Sequence, residues 1–338
     1  MKNSLISFAC IIAALSGCSG LDHQPIEGGS NIYVIAQTAH PTDTKAPYSG
    51  TVPSVASPLG AVVCVSTDPN SFPADGPNGV GEGENGEIGK HLSVEFQSGT
   101  AQSLNDVYYN KDYVKDVYFT AVHPVSGWNF TDDKTASTTF DGSKDILFAP
   151  HTIGRYESSV PTLNFSHMLT YLKLEISAVG EDITQAEQIS KAWGKIKTLT
   201  ISSSSTMTID LTDGATDFGE DKTEMNFYDI VTDRRFPEDA GFEIPTTPKM
   251  AAYVLCAPKM ATDDSDFPYE YTLTLETENR SVILDIDLKR DMNTPFLGTT
   301  AGHQFTIGLN FKMGNNIAVS ANINSWETGG IGTGNIEQ

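Results

Sequence analysis

Cysteine is nearly missing from this chain. There are four in 338 residues, and two of them, Cys10 and Cys18, fall in the N-terminal segment. Cys64 and Cys256 remain, each inside an apolar run, "GAVVCVS" and "AAYVLCA". Two cysteines so far apart make neither a disulfide framework nor a zinc site. They are expected to be buried free thiols that pack as small hydrophobes. Basic residues are scarce as well, with 21 Lys and Arg against 43 Asp and Glu and a formal net charge of −22. Such a surface is soluble and repels nucleic acid and anionic membrane faces, so a DNA or RNA partner is excluded. Beyond the N-terminus no apolar run is long enough to span a membrane. Helical periodicity is confined to "EDITQAEQISKAW", residues 181–193, which reads as one short helix.

The signatures of catalysis and cofactor binding are lacking too. The seven histidines (His23, His40, His91, His123, His151, His167 and His303) show no H-x-x-x-H or H-x-H spacing and none pairs with a cysteine, so no metal or cofactor is implied. There is no G-x-S-x-G elbow, no phosphate loop and no dinucleotide fingerprint. The glycine-rich "VGEGENG" lies in an acidic loop that would repel phosphate. Acidic clusters occur in "TIDLTDGATDFGEDKTE" and "TDDSDF". Counting from Asp210, Thr212 and Gly214 stand where a calcium loop needs ligands, and Ala215 where it needs glycine. These clusters read as solvated hairpin tips. No pair of carboxylates is singled out for glycoside hydrolysis, and the chain is not read as an enzyme.

What the sequence does hold is a leader and a long series of strands. Lys2 precedes the apolar "LISFACIIAAL", which is too short for a comfortable span and ends in Leu15-Ser16-Gly17-Cys18. This ending resembles the bacterial lipobox, which implies cleavage before Cys18 and a lipid on its thiol. Twelve segments then alternate or are short apolar runs, from "NIYVIAQT" to "NIAVSANI", separated by Gly, Pro, Asn, Asp and Ser. They point to an all-β chain of antiparallel sandwiches. Residues 67–89 read as a long exposed loop. The expected organisation is a signal peptide at 1–17, a lipidated linker at 18–30, an N-terminal sandwich at 31–158, a C-terminal sandwich at 159–327, and a Gly-rich tail at 328–338.

Two aromatic or titratable positions stand apart. His167 follows Leu163 and Phe165 on one face of a strand, where a core histidine satisfied by a backbone carbonyl is expected. Trp326 closes the last strand as an aromatic plug, and Trp128 in "HPVSGWNF" reads as a core residue at a loop edge rather than an exposed sugar platform.

The segments "VYFTAVHPVSGW", "KDILFAP", "VPTLNFSHMLTYLKLEI" and "AGHQFTIGLNFKMGNNIAVSANINSW" look like the fimbrillin family of Bacteroidales. The matching positions are Phe119, Ala121, Pro124, Asp145, Leu147, Ala149, Phe165, His167, Gly302, Phe305, Ile323 and Trp326. "TKA" at 44–46 is similar to the Thr-Arg-Ala often found after the family's first strand. The resemblance covers roughly residues 31–327. It implies two transthyretin-like β-sandwich domains in tandem and a lipoprotein precursor that becomes a stalk, tip or anchor subunit of a type V pilus. The chain departs from the family in its longer polar 67–89 loop. It also has Lys45 where an arginine-specific protease wants arginine, its first arginine being Arg155.

The same resemblance implies assembly by donor-strand exchange. A protease would cut between Lys45 and Ala46 and release the first strand, Ile32, Tyr33, Val34, Ile35 and Ala36, with Ile32, Val34 and Ala36 on one face. A strand from another subunit would then fill the groove by β-augmentation. The implied partners are other fimbrillin-family subunits, the outer membrane through the lipid on Cys18 before processing, and host or bacterial surface ligands. The implied location is the cell outer membrane and the surface fimbrium. The tail, with only Ile331 and Ile336 among four glycines, is a poor donor, which fits a tip or accessory position. The alternative reading is a non-polymerising surface lipoprotein that binds carbohydrate or anchors a pilus.

Overall fold

The structure, a computed structural model, describes residues 29–38, 58–74, 79–80, 89–97, 101–110, 116–156, 160–258, 270–287, 301–314, 317–325 and 331–334. Its first half holds β1 (Gly29–Thr38), β2 (Leu59–Ser66), β3 (Gly79–Val80), β4 (Gly89–Phe96), β5 (Gln102–Asn110), β6 (Val117–His123), β7 (Asn129–Phe130), β8 (Thr135–Thr139), β9 (Leu147–Gly154) and β10 (Thr162–His167). The second half begins with β11 (Thr170–Ala178), α1 (Ile183–Trp193), β12 (Ile196–Ser204), β13 (Thr206–Asp210), β14 (Thr216–Phe218), β15 (Lys222–Asp229) and β16 (Arg235–Phe236). It ends with β17 (Lys249–Cys256), β18 (Glu270–Thr277), β19 (Ser281–Asp287), β20 (His303–Phe311), β21 (Ile317–Ser325) and β22 (Ile331–Gly334). The fold is all-β, as the alternation predicts, and is arranged as two β domains in tandem.

The first sheet has eight strands in the order β3-β5-β1-β10-β9-β6-β2-β4. Its hydrophobic pattern explains why several strands read as continuous apolar runs rather than clean alternation. In β2, Ala61, Val63 and Val65 enter one core with Ile32, Phe119 and Phe165. The intervening Val62 and Cys64 enter a second, larger core. A strand covered on both faces needs apolar side chains at every position. Cys64 and Cys256 are both buried and free, as expected. Burial pushes the Cys64 thiol far above its usual value.

The second sheet has ten strands, β19-β18-β12-β15-β17-β11-β20-β21-β22, with β16 paired to β15. Most pairings are antiparallel, but β1–β10, β3–β5 and β11–β20 are parallel. The first strand of each of these two large sheets in sequence order thus lies parallel to a later one. The helix forms where its spacing predicts, with Ala186, Ile189 and Trp193 buried on one stripe. Asp182 caps it by accepting from Gln185 N at 2.8 Å. Gly194 ends it at φ 74°, where an added Cβ would meet Glu278 Cβ at 2.8 Å.

Two features revise the expected division at 158/159. The strand Thr162–His167, expected to open the second sandwich, lies in the first sheet between β1 and β9. Its pairing with β1 is parallel and non-local, which no local pattern announces. A third sheet, β14-β13-β8-β7, joins β8 from before the expected boundary to β13 from after it. The larger core accordingly holds Ala136 and Phe148 together with Ile209, Leu172 and Phe227.

Candidate functional site: the slot of the first strand

The strand β1 is an interior strand, although it is the first described strand in sequence. It pairs antiparallel with β5, Tyr33 opposite Ser103 and Val34 opposite Gln102, with a register shift between Asn31 and Tyr33. On its other side it pairs parallel with β10, from Ile35 opposite Thr162 to Thr38 opposite Phe165. Ile35 N donates to Pro161 O at 3.0 Å, extending that edge. Both flanking strands come later in the chain.

Side-chain burial follows the expected alternation. Ile32 and Val34 are 0% exposed and Ala36 is 1% exposed, while Tyr33 and Ile35 on the other face are half-buried. The three buried residues lie in a core with Leu104, Val107, Leu163 and Phe165, which come from the two flanking strands. Burying Ile32 and Val34 is worth ~1.5–3 kcal/mol each. Without β1, the slot would present an apolar floor and two rims of backbone donors and acceptors. That is the geometry that an extended segment fills by β-augmentation. Cys18, Lys45 and Ala46, the other sequence-predicted site residues, lie outside the described residues.

One end of the slot carries a cluster of titratable groups. His167, the last residue of β10, places Nδ1 2.6 Å from Asp145 Oδ2. With the carboxyl ionised, Nδ1–H donates to it. The partner of Nδ1 is therefore the Asp145 carboxyl rather than the backbone carbonyl expected for a core histidine. Asp145 is 2% exposed, and its Oδ1 has no hydrogen-bond partner among the described residues. His123 Nδ1 lies 2.7 Å from Gly60 O, so that nitrogen carries the proton. Burial pulls His123 below the usual imidazole value, against the Gly60 carbonyl and the Asp145 charge, which raise it; His167 adds to the lowering. Burial first, and then the charges of Asp145 and Asp233, push the Tyr171 hydroxyl of β11 upward. The cluster thus lies where the first sheet hands over to the second. Sequence reading picked out Asp145 and His167 separately, through two family motifs, but not their contact. A lone carboxylate inside the apolar "KDILFAP" was the available signal.

The remaining sequence candidates take structural places. Trp128 is half-buried against the larger core, and its Nε1 donates to Pro124 O at 2.9 Å. Asp210 and Asp213 close their own turns, accepting from Thr212 N and Ala215 N, each at 2.8 Å. Among the described residues no group of three or more His, Cys, Asp or Glu is placed to hold a metal. Among them, too, no helix is long and apolar enough to cross a membrane. Trp326 lies outside the described residues, and Ile331–Gly334 of the tail pairs with Ala321–Asn324 of β21.

The model of a family described as fimbrillin-like matches residues 77–326. No curated protein matches the chain. Among solved structures, the chain is similar to a putative cell adhesion protein from Bacteroides uniformis, with a TM-score of 0.55 and 13% identity over 90% of this chain and 100% of that one. It is also similar to a putative cell adhesion protein from Bacteroides ovatus, with a TM-score of 0.54 and 15% identity over 89% of this chain and 99% of that one. At these identities the likeness is one of fold.

Proposed function

The chain belongs to the fimbrillin-like family, and on that premise we propose that it is a structural and adhesive subunit of a cell-surface pilus, joined to its neighbours by exchange of its first strand. The observation that carries this reading is the interior position of β1 between β5 and β10, with Ile32, Val34 and Ala36 buried beneath it. In the proposed sequence of events the precursor is exported as a lipoprotein and held at the outer membrane by a lipid on Cys18. Cutting after Lys45 then detaches lipid and strand together. An extended segment of another subunit enters the slot, parallel to β10 and antiparallel to β5, with small-to-medium apolar side chains at alternate positions. No step of this role is catalytic.

The tail supports a place at the tip or as an accessory subunit. Its Gly-rich residues offer few apolar side chains, and Ile331–Gly334 pairs with the chain's own β21. A surface ligand, of host or bacterial origin, would be met by such an exposed terminal subunit.

The decisive experiment is the N-terminus of the mature protein purified from the cell surface. A start at Ala46 is the expected result. A chain that keeps a lipidated Cys18 and an uncut Lys45 would overturn strand exchange and leave a solitary surface lipoprotein or anchor.

A further inference from the structure

We propose that the buried contact between Asp145 and His167 is a positioning pair that holds the β10 wall of the slot in place while β1 is out of it. The proposal rests on the reading of β1 as displaceable. The argument comes from how β10 is held along its length. Thr162, Leu163, Asn164 and Phe165 pair with β1. Only Ser166 and His167 pair with β9, opposite Phe148 and Leu147. When β1 leaves, residues 162–165 lose that ladder, and β10 is held by sheet pairing only at its C-terminal end.

That end is where the side-chain contact lies. Asp145 stands two residues before Leu147, and Leu147 is paired with His167 on one side and His123 on the other. The 2.6 Å contact therefore ties the last residue of β10 to the segment that leads into β9. Met168 N donates to Ile146 O at 2.9 Å just beyond it. A hydrogen bond between an imidazole and a carboxyl, shielded from water, is among the stronger contacts available to a single side chain. His123 fixes the far side of the same row to Gly60 of β2. The cluster binds β2, β6, β9 and β10 at one end, which leaves Leu163 and Phe165 positioned as the slot's apolar wall.

The test is hydrogen exchange of the full chain, read separately over residues 29–38, 117–123, 162–165, 166–168 and 303–311. In the wild type, 29–38 and the β1-paired residues 162–165 should exchange faster than 117–123, and Ser166, His167 and Met168 should remain protected. His167→Phe should speed exchange at 166–168 on the order of 100-fold while leaving 303–311 unchanged. His167→Gln, which keeps an N–H donor, should recover most of the protection. Should His167→Phe not fold, Asp145→Asn serves, with an expected acceleration of about 10-fold in the same place. A fast β1 with an unmoved β10 in the variants overturns the proposal alone, as does equal acceleration at 303–311. A wild-type β1 that exchanges no faster than 117–123 overturns the displaceable strand, and the positioning role with it.

Discussion

Ala136 of β8 sits opposite Ile209 of β13, and both side chains are fully buried. Through that pair a strand from the first half of the chain and one from the second share a backbone ladder. The interface between the two halves is therefore a sheet whose buried residues belong to the larger core, not a loose contact between beads. Units joined this way are expected to unfold together. Calorimetry should show one cooperative transition, and Ile209→Ala should cost ~2–5 kcal/mol while loosening both large sheets. Two separate transitions, or a loss confined to residues after 170, would show that the seam does not couple them.

The slot makes its own demand on the first strand. Ile32→Ala should destabilise the full chain by ~2–5 kcal/mol, because a fully buried side chain leaves a cavity. Ile35→Ala on the half-buried face should cost clearly less, and Gln37→Ala, at an exposed position, close to nothing. Urea unfolding of the three variants reads the order directly. An Ile35 cost equal to that of Ile32 would mean that the outer face of β1 is as tightly covered as the inner one.

The parts of this fold legible in the sequence are those with local physics. Alternation in "NIYVIAQT" placed Ile32, Val34 and Ala36 on one face, and the 3.6-residue stripe from Ala186 to Trp193 placed the helix. The seam was not legible because β8 is "TASTT", a polar segment whose partner lies about seventy residues on. The place of β10 was not legible either. Its apolar alternation, Leu163 and Phe165, is the same whichever sheet it joins, and parallel pairing leaves no turn signature. Asp145 stood out only as a position of a family motif, and His167 as that and as a histidine on an apolar face. Their contact spans twenty-two residues, and only the sheet brings them together.

His123 sets an acid limit on stability. Burial holds its folded-state value below the ordinary 6.5. The unfolded chain then takes up that proton first, so stability is fully present above about pH 6.5 and falls as the pH drops toward the folded value. His123→Gln keeps a donor for Gly60 O and cannot titrate. Melting temperatures between pH 5 and 8 should fall less steeply toward acid for the variant than for the wild type. Parallel profiles would show that His123 is not charged on unfolding in this range.

Lys173 has the opposite placement in pH. It is 5% exposed in β11, its Nζ lies 5.0 Å from the centre of the Tyr171 ring, and burial lowers its pKa to about 8. An unfolded lysine holds its proton to about 10.4, so the folded protein bears the full cost of the buried charge below pH 8. That cost is relieved as the pH rises from about 8 toward 10.4, and the stability contributed by this position rises with it. Lys173→Met, which fills similar space without a charge, should melt higher than the wild type at pH 7. The gap between the two should narrow steadily from pH 8 to 10. A variant that melts lower at pH 7 would mean that the ammonium's position over the Tyr171 ring outweighs its desolvation, and that the lysine stabilises β11 as a cation.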